Sequence, residues 1–204
     1  YTVQDRDKEI TLAIENEYIM SPKDLCTLPF LDKVLDAGVK ILKIEGRGRS
    51  PEYTKVTVGV YSEAVKAIQN GEFTEEKIAQ WTERLRSVYN RDFWDGYYLG
   101  RKMGEWTQRY GSQATKTKIF VGTVTNFFAK INVAEIRMET QDLKVGDDIM
   151  IIGPTTGVYE DKVSEIRVDL KPVESTEKGE LCSIPVKDVI RRGDKVYKVI
   201  DAES

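Results

Sequence analysis

Hydrophobic positions along the chain follow two periods, and the change between them falls near Tyr110-Gly111-Ser112-Gln113. Before that point, short apolar runs alternate with stripes at helical spacing. Residues 9–20 read as extended, ending in Tyr18-Ile19-Met20. Ser21-Pro22-Lys23-Asp24 offers a hydroxyl for an N-cap, a proline at the first helical position and an acid in the first turn, which predicts a helix start. Pro29 divides that helical stretch, Phe30, Leu31, Val34 and Leu35 continue it, and Gly38 ends it. The β-branched run Val39-Lys40-Ile41-Leu42-Lys43-Ile44 predicts a buried strand, with Glu45-Gly46-Arg47-Gly48-Arg49 as the loop after it. Ser50-Pro51-Glu52 opens a second helix whose core stripe is Tyr53, Val56, Val60, Ala64, Ala67 and Ile68, ending at Gly71. Thr74 caps a third, with Ile78, Trp81, Leu85 and Val88 on its buried side.

After the change, strands are predicted at 118–125, 130–138, 148–152, 162–170, 180–186 and 195–200, separated by glycine-containing turns. Six short strands at this spacing point to a small closed or nearly closed antiparallel barrel. One turn pattern occurs twice, as Lys144-Val145-Gly146-Asp147 and Arg191-Arg192-Gly193-Asp194, each leading into a barrel-closing strand. The fold class is therefore α/β followed by all-β, in domains 1–111 and 116–204. Strand–helix–strand–helix is the unit of a parallel sheet, whose active site sits in the loops after the strands. A complete TIM barrel takes about 250 residues. The first domain is then at most a portion of one, with a sheet edge that needs a partner. The chain opens at Tyr1 on a segment that reads as the middle of something longer, so a fragment is expected.

Composition narrows the chemistry. Among 204 residues, 31 Lys and Arg face 34 Asp and Glu, a net charge of −3 shared almost evenly between the halves. Bulk electrostatic binding of nucleic acid is disfavoured, and only a local basic patch could do it. The absence of histidine removes Ser/His/Asp and Cys/His nucleophilic sites and HExxH zinc sites built from this chain alone. Two cysteines, Cys26 and Cys182, without CxxC spacing or a secretory signal, read as free thiols in a reducing, cytoplasmic setting. No apolar run approaches membrane-span length.

Three groups of residues carry candidate chemistry. Lys43 to Arg49 packs three cations and two glycines into seven positions at a strand end. That suits bidentate grip of a carboxylate or phosphate by Lys43, Arg47 and Arg49, with Glu45 as the nearby acid–base group. The same loop also reads as a solvated basic turn with Glu45 paired to an arginine. Cys26, one turn into the predicted first helix, suits a thiolate stabilised by helix dipoles and hence a metal ligand, or equally a buried structural cysteine. Cys182 falls in a barrel strand and reads as core. Trp94, Tyr97, Tyr98 and Trp106 lie among Arg91, Arg101, Lys102 and Arg109, a composition that either stacks RNA bases or glues a terminal helix to its neighbour. In the barrel only Phe127-Phe128-Ala129-Lys130 is comparable, which leaves a generic docking or RNA-positioning role.

Several of these strings, Tyr18-Ile19-Met20-Ser21-Pro22-Lys23-Asp24-Leu25-Cys26, Ala37-Gly38-Val39, Leu42-Lys43-Ile44-Glu45-Gly46-Arg47, Ser50-Pro51-Glu52-Tyr53 and Val60-Tyr61-Ser62-Glu63-Ala64, together resemble the collagenase-like peptidase family, peptidase family U32. Asn90-Arg91-Asp92-Phe93 through Gly100 is similar to that family's segment after its barrel. The resemblance implies that 1–111 is the closing part of a TIM-like catalytic domain whose opening part, a partner of this chain, is elsewhere. It also implies that 116–204 is a small barrel like the second domain of elongation factor Tu. Implied roles are hydroxylation of the tRNA wobble uridine, or of other RNA, with prephenate as a candidate anion, and a peptidase role carried by the family name. A non-catalytic RNA- or protein-binding module is the remaining reading. The resemblance further implies that Cys26 is one of four cysteines holding an iron–sulfur cluster in the full-length protein. The other three would lie outside this chain, so the fragment alone is expected to hold no cluster and to be inactive.

Overall fold

Pairing between distant segments, more than local helix signals, shapes the first part of the molecule. The structure, a computed structural model, describes residues 2–4, 6–7, 11–13, 21–100, 105–107 and 111–202. Tyr18, Ile19 and Met20 of the expected extended segment, and Arg101, Lys102 and Arg109 of the aromatic stretch, lie outside the described residues. The chain divides into two units, Tyr1–Ala114 and Thr115–Ser204.

In the first unit, β1 (Thr2–Gln4) and β2 (Thr11–Ala13) form an antiparallel pair. No helix starts at Ser21. Instead Pro22 bridges Trp106, and β3 (Asp24–Leu25) runs parallel to β4 (Phe93–Trp94). The N–H groups of Lys23, Asp24 and Cys26 bond the carbonyls of Glu105, Asp92 and Trp94 at 3.1, 2.8 and 2.9 Å. These partners satisfy the donors that a helix N-terminus would have left open, so tertiary pairing overrides the capping signal. Helical structure begins only at a 3-10 turn, Leu28–Phe30, with Pro29 inside it, and continues as α1 (Leu31–Asp36). Gly38, at φ +90°, follows its end.

Residues 39–44, the expected buried strand, form no strand, and Ile41 is 85% exposed. Burial nevertheless alternates, with Leu42, Ile44 and Gly46 half-buried and Ile41, Lys43, Glu45 and Arg47 exposed. This is the period of a strand that has no ladder partner among the described residues; Leu42 packs against the core, while Val39 and Ile41 stay in solvent.

Helices α2 (Pro51–Gln69) and α3 (Glu75–Arg86) follow the expected signals closely. Pro51 is the first residue of α2, Gly71 takes φ +70° after it, and Thr74 Oγ1 accepts the N–H of Lys77 to cap α3. Val60, Ala64 and Ala67 of α2 pack with Trp81 and Leu85 of α3 against Leu28 and Leu31. Glu63 fastens the pair from outside by accepting Trp81 Nε1 and Arg84 Nη2, each at 3.0 Å.

The second unit is one antiparallel sheet of eight strands, two more than the pattern predicted. Its members are β5 (Lys116–Phe128), β6 (Val133–Met138), β7 (Asp148–Gly153), β8 (Gly157–Lys162), β9 (Ile166–Val168), β10 (Lys171–Val173), β11 (Leu181–Pro185) and β12 (Lys195–Asp201). Their order is β10-β9-β11-β6-β5-β12-β7-β8. The expected strand 162–170 is instead the end of β8, a turn and β9. Asp169 and Leu170 take positive φ and start a hairpin into β10, which apolar periodicity does not reveal. Burial alternates along β6 and β11 as a one-sided core requires, and Val121, Ile136, Leu143, Ile151, Ile166 and Cys182 are fully enclosed.

The repeated turn serves one purpose twice. At both copies the Asp side chain accepts the N–H three residues earlier at 2.8 Å, and the glycine takes φ near +90°. Gly146 N–H bonds Val163 O, and Val163 N–H returns a bond to Asp147 O. Gly193, Val124 and Asp194 repeat that exchange. The two turns feed β7 and β12, which pair with each other from Asp148↔Val199 to Ile152↔Lys195.

The chain thus joins an α/β unit, with three α-helices among its described residues, to an antiparallel all-β unit. No helix among the described residues is long and apolar enough to cross a membrane.

Core burial of Cys182, reinforced by the carboxylates of Glu180 and Glu135, pushes its thiol up to about 12, and burial with the Asp161 hydrogen bond does the same for Tyr159. A pKa raised by folding gives stability that is whole below the unfolded value and is lost as pH climbs through the folded one. The second unit should therefore lose stability progressively between about pH 9 and pH 12. Urea midpoints across that range should fall for the wild type and fall less steeply for Cys182→Ala; equal slopes would refute the assignment.

Candidate functional site

Segment 39–49, left without a ladder, forms one wall of a cavity of about 590 Å³ in the first unit. Opposite it stand Leu25 and Thr27 and three side chains of α2, Tyr53, Thr57 and Tyr61. Positions 53, 57 and 61 recur every four residues, so they share a face of the helix. That stripe beside the apolar one is the signal that could have marked them. Tyr53, expected on the core stripe, instead lines the cavity and is half-buried. Tyr98 closes another side.

Lys43, Glu45 and Arg47 line the cavity together. Their spacing of two places them on one side of an extended backbone, and all three are exposed. Glu45 Oε1 accepts the N–H of Arg47 at 2.7 Å, which holds the turn at Gly46. Glu45 is therefore tied to the Arg47 backbone and not to a guanidinium. A Cβ at Gly46 would lie 3.0 Å from Thr54 Oγ1, so this position packs tightly against α2. Lys43 and Arg47 are exposed, line the cavity and are in no ion pair among the described residues.

Arg49, expected beside them as an anion ligand, lines the same cavity but is paired within the protein. Its Nη2 donates to Asp24 Oδ1 at 3.0 Å, and its guanidinium lies 4.2 Å from the Tyr89 ring centre and 5.3 Å from that of Tyr53. Asp24 also accepts the N–H of Arg91 through Oδ2 at 3.2 Å. The Arg49–Asp24 pair is about four-fifths buried and ties the loop after residue 44 to β3 and to the segment before β4. It sets the cavity's shape, while Lys43 and Arg47 give it charge.

Cys26 lies in the loop after β3, just before the 3-10 turn, and not one turn inside a helix as expected. It is 6% exposed, and burial pushes its thiol up, with the Leu28 N–H as a smaller opposing influence. Its Sγ is 3.8 Å from Tyr61 Oη. That hydroxyl also accepts Thr27 N–H at 3.1 Å, and burial raises it to about 12, so it stays a neutral phenol. Cys26 is thus a buried thiol whose surroundings disfavour the thiolate, beside Tyr61 of the cavity lining.

An iron–sulfur cluster takes four thiolates. This chain has two cysteines, and Cys182 is enclosed in the core of the other unit. Nor do the described residues contain a group of three or more Cys, Asp or Glu able to hold a metal ion. The donor set here does not fit a cluster by itself, and no chemistry is derived through one.

Of the aromatic stretch, Trp94 meets Tyr97 edge-on at 5.4 Å, while Tyr97 and Tyr98 are 63% and 64% exposed. Trp106 is half-buried in its bridge to Pro22, which agrees with the gluing reading for that residue.

Comparison with known proteins finds a family match, described as peptidase family U32, over residues 1–108. A protein named "Collagenase" from Porphyromonas gingivalis is 53% identical over 97% of this chain and 48% of its own length. An "uncharacterized protease" of Methanocaldococcus jannaschii is 34% identical over 95% of this chain and 48% of its own. "tRNA hydroxylation protein P1" of Bacillus subtilis is 32% identical over 76% of this chain and 37% of its own. The chain spans about half the length of the first curated relatives it matches.

Proposed function

The chain belongs to peptidase family U32, and from that premise we propose that it is part of a cytoplasmic RNA-modifying protein that hydroxylates the wobble uridine of tRNA. In this reading the first unit is the closing portion of a TIM-like catalytic domain completed by other polypeptide of the same protein. The second unit, a barrel like the second domain of elongation factor Tu, helps to place the RNA. The observation that carries the reading is the cavity itself: Lys43 and Arg47, both open to solvent, lining it together with Tyr53, Tyr61 and Tyr98. The chain has no histidine, and its thiol near the cavity, Cys26, is buried.

Each residue then has a definite task. Lys43 and Arg47 hold an anion, either an RNA phosphate or the carboxylate of a co-substrate such as prephenate, through charge-assisted hydrogen bonds. Glu45, between them, is the acid–base group, and its bond to the Arg47 N–H fixes where its free oxygen points. Arg49 positions the loop through Asp24. In the complete protein Cys26 would be one of four ligands of a cluster whose other three come from outside this chain.

Deleting the full-length gene should remove hydroxylated wobble uridine from total tRNA, read by nucleoside mass spectrometry. A copy carrying both Lys43→Ala and Arg47→Ala should fail to restore it. Unchanged tRNA in the deletion strain would remove this reading. A peptidase reading is favoured by a different observation, namely that relatives named collagenase are 53% and 52% identical. Gelatin cleavage by the purified full-length protein, lost in Glu45→Gln, would establish it in place of hydroxylation.

A further inference from the structure

Tyr98 stands where a ligand's flat face would rest. It lines the same cavity as Lys43 and Arg47, yet is 64% exposed. Exposed tyrosines ordinarily sample several rotamers, but this ring is supported from behind. Gly96 takes φ +65°, and a Cβ there would lie 3.4 Å from Tyr98 Cδ2 and 2.8 Å from Leu25 Cδ1, so the ring rests almost on the glycine backbone. Phe30, itself 4% exposed, braces it with ring centres 5.9 Å apart. The remaining aromatic surface is open and held in advance, which lowers the entropic cost of stacking. Tyr97, by contrast, is engaged edge-on by Trp94 and does not line the cavity.

We propose that Tyr98 is a stacking platform for a nucleobase of single-stranded RNA, with the flanking phosphate held by Lys43 and Arg47. The proposal rests on the RNA reading above and deepens it by assigning where base and backbone sit. A planar ring beside two open cations is the combination that single-stranded nucleic acid recognises, because every base offers a π face and every linkage a negative charge. Glu45 and the Arg49–Asp24 pair leave this end of the cavity with a net positive charge, complementary to one phosphate.

The test is titration of the full chain with fluorescently labelled decauridylate at several salt concentrations. Tyr98→Leu keeps the apolar packing on Phe30 and Gly96 but removes the π face, and should raise Kd about tenfold without changing the salt slope. Tyr98→Phe should bind like wild type. Arg47→Ala should weaken binding and reduce the salt slope by about 0.7, the value for one phosphate contact on a single strand. An unchanged Kd in Tyr98→Leu, absence of decauridylate binding by the wild-type chain, or displacement of the label by gelatin peptides but not by unlabelled RNA would each overturn the proposal. Because binding is read without turnover, failure of the hydroxylation reading is visible separately. A deletion strain with normal tRNA beside Tyr98-dependent binding would discard the reaction and keep the platform.

Discussion

Gly122→Ala should destabilise the second unit by about 3 kcal/mol, seen as a fall of more than about 10 °C in its thermal midpoint. Gly122 lies in β5 between β6 and β12, opposite Met138 on one side and Val196 on the other. A Cβ there would stand 2.2 Å from the carbonyl oxygen of Arg137 and 3.2 Å from Ile136 Cγ2. The first obstacle is backbone, so no side-chain rotation relieves it. Either β6 moves away, costing ladder hydrogen bonds at roughly 1 kcal/mol each, or the core around Ile136 opens. Gly146→Ala is the informative control. Nothing lies within 4 Å of its Cβ position, and only the φ of +91° opposes the substitution, for about 1 kcal/mol. Circular dichroism melts of the two variants should differ clearly; a Gly122→Ala midpoint close to that of Gly146→Ala would show that the strand has room the structure denies.

Asp24→Ala should cost the first unit about 2 to 3 kcal/mol and also weaken ligand binding at the cavity. Removing this carboxylate leaves Arg49 about four-fifths buried without its counter-charge and the Arg91 N–H without an acceptor. Breaking one partner of a buried pair typically costs about 3 to 5 kcal/mol, and the residual solvent contact here reduces that. A urea double-mutant cycle with Arg49→Ala should return a coupling of about 1 to 2 kcal/mol, because removing both groups relieves the stranded charge. Additive effects would mean the pair contributes nothing beyond its separate contacts. Glu45→Ala changes an exposed side chain whose hydrogen bond is to the backbone N–H of Arg47, and should stay within about 1 kcal/mol of wild type.

The sequence signals that held and those that failed separate by range. The cap at Thr74, the Pro51 start of α2 and the left-handed Gly38 and Gly71 are local devices, complete within four or five residues, and they appear in the structure as the pattern predicts. Ser21-Pro22 carries the same kind of device and makes no helix, because Glu105, Asp92 and Trp94 offer better partners to the same N–H groups. Cys26 lost its helix-dipole setting by the same cause. Val39 to Ile44 has the alternation of a strand, but a strand also needs a neighbour, and periodicity does not say whether one is present.

The candidate loop was legible as chemistry and only partly as geometry. Lys43, Glu45 and Arg47 could be chosen from residue type and spacing, and they do share the cavity. The pairing of Arg49 with Asp24 within the cavity lining, and the recruitment of Tyr53, Thr57 and Tyr61 from α2, join positions far apart in the chain.

What the sequence by itself determined is therefore the family, the helices α2 and α3, the cationic loop, and the repeated Gly-Asp turns that lead into β7 and β12. Each rests on interactions between near neighbours, or on motifs that read in order along the chain. Tertiary structure alone decided that Arg49 pairs with Asp24, which tyrosines surround the cavity, and that Cys26 is buried. Those outcomes depend on desolvation and on competition for hydrogen-bond partners, both of which act between residues that only the folded chain brings together.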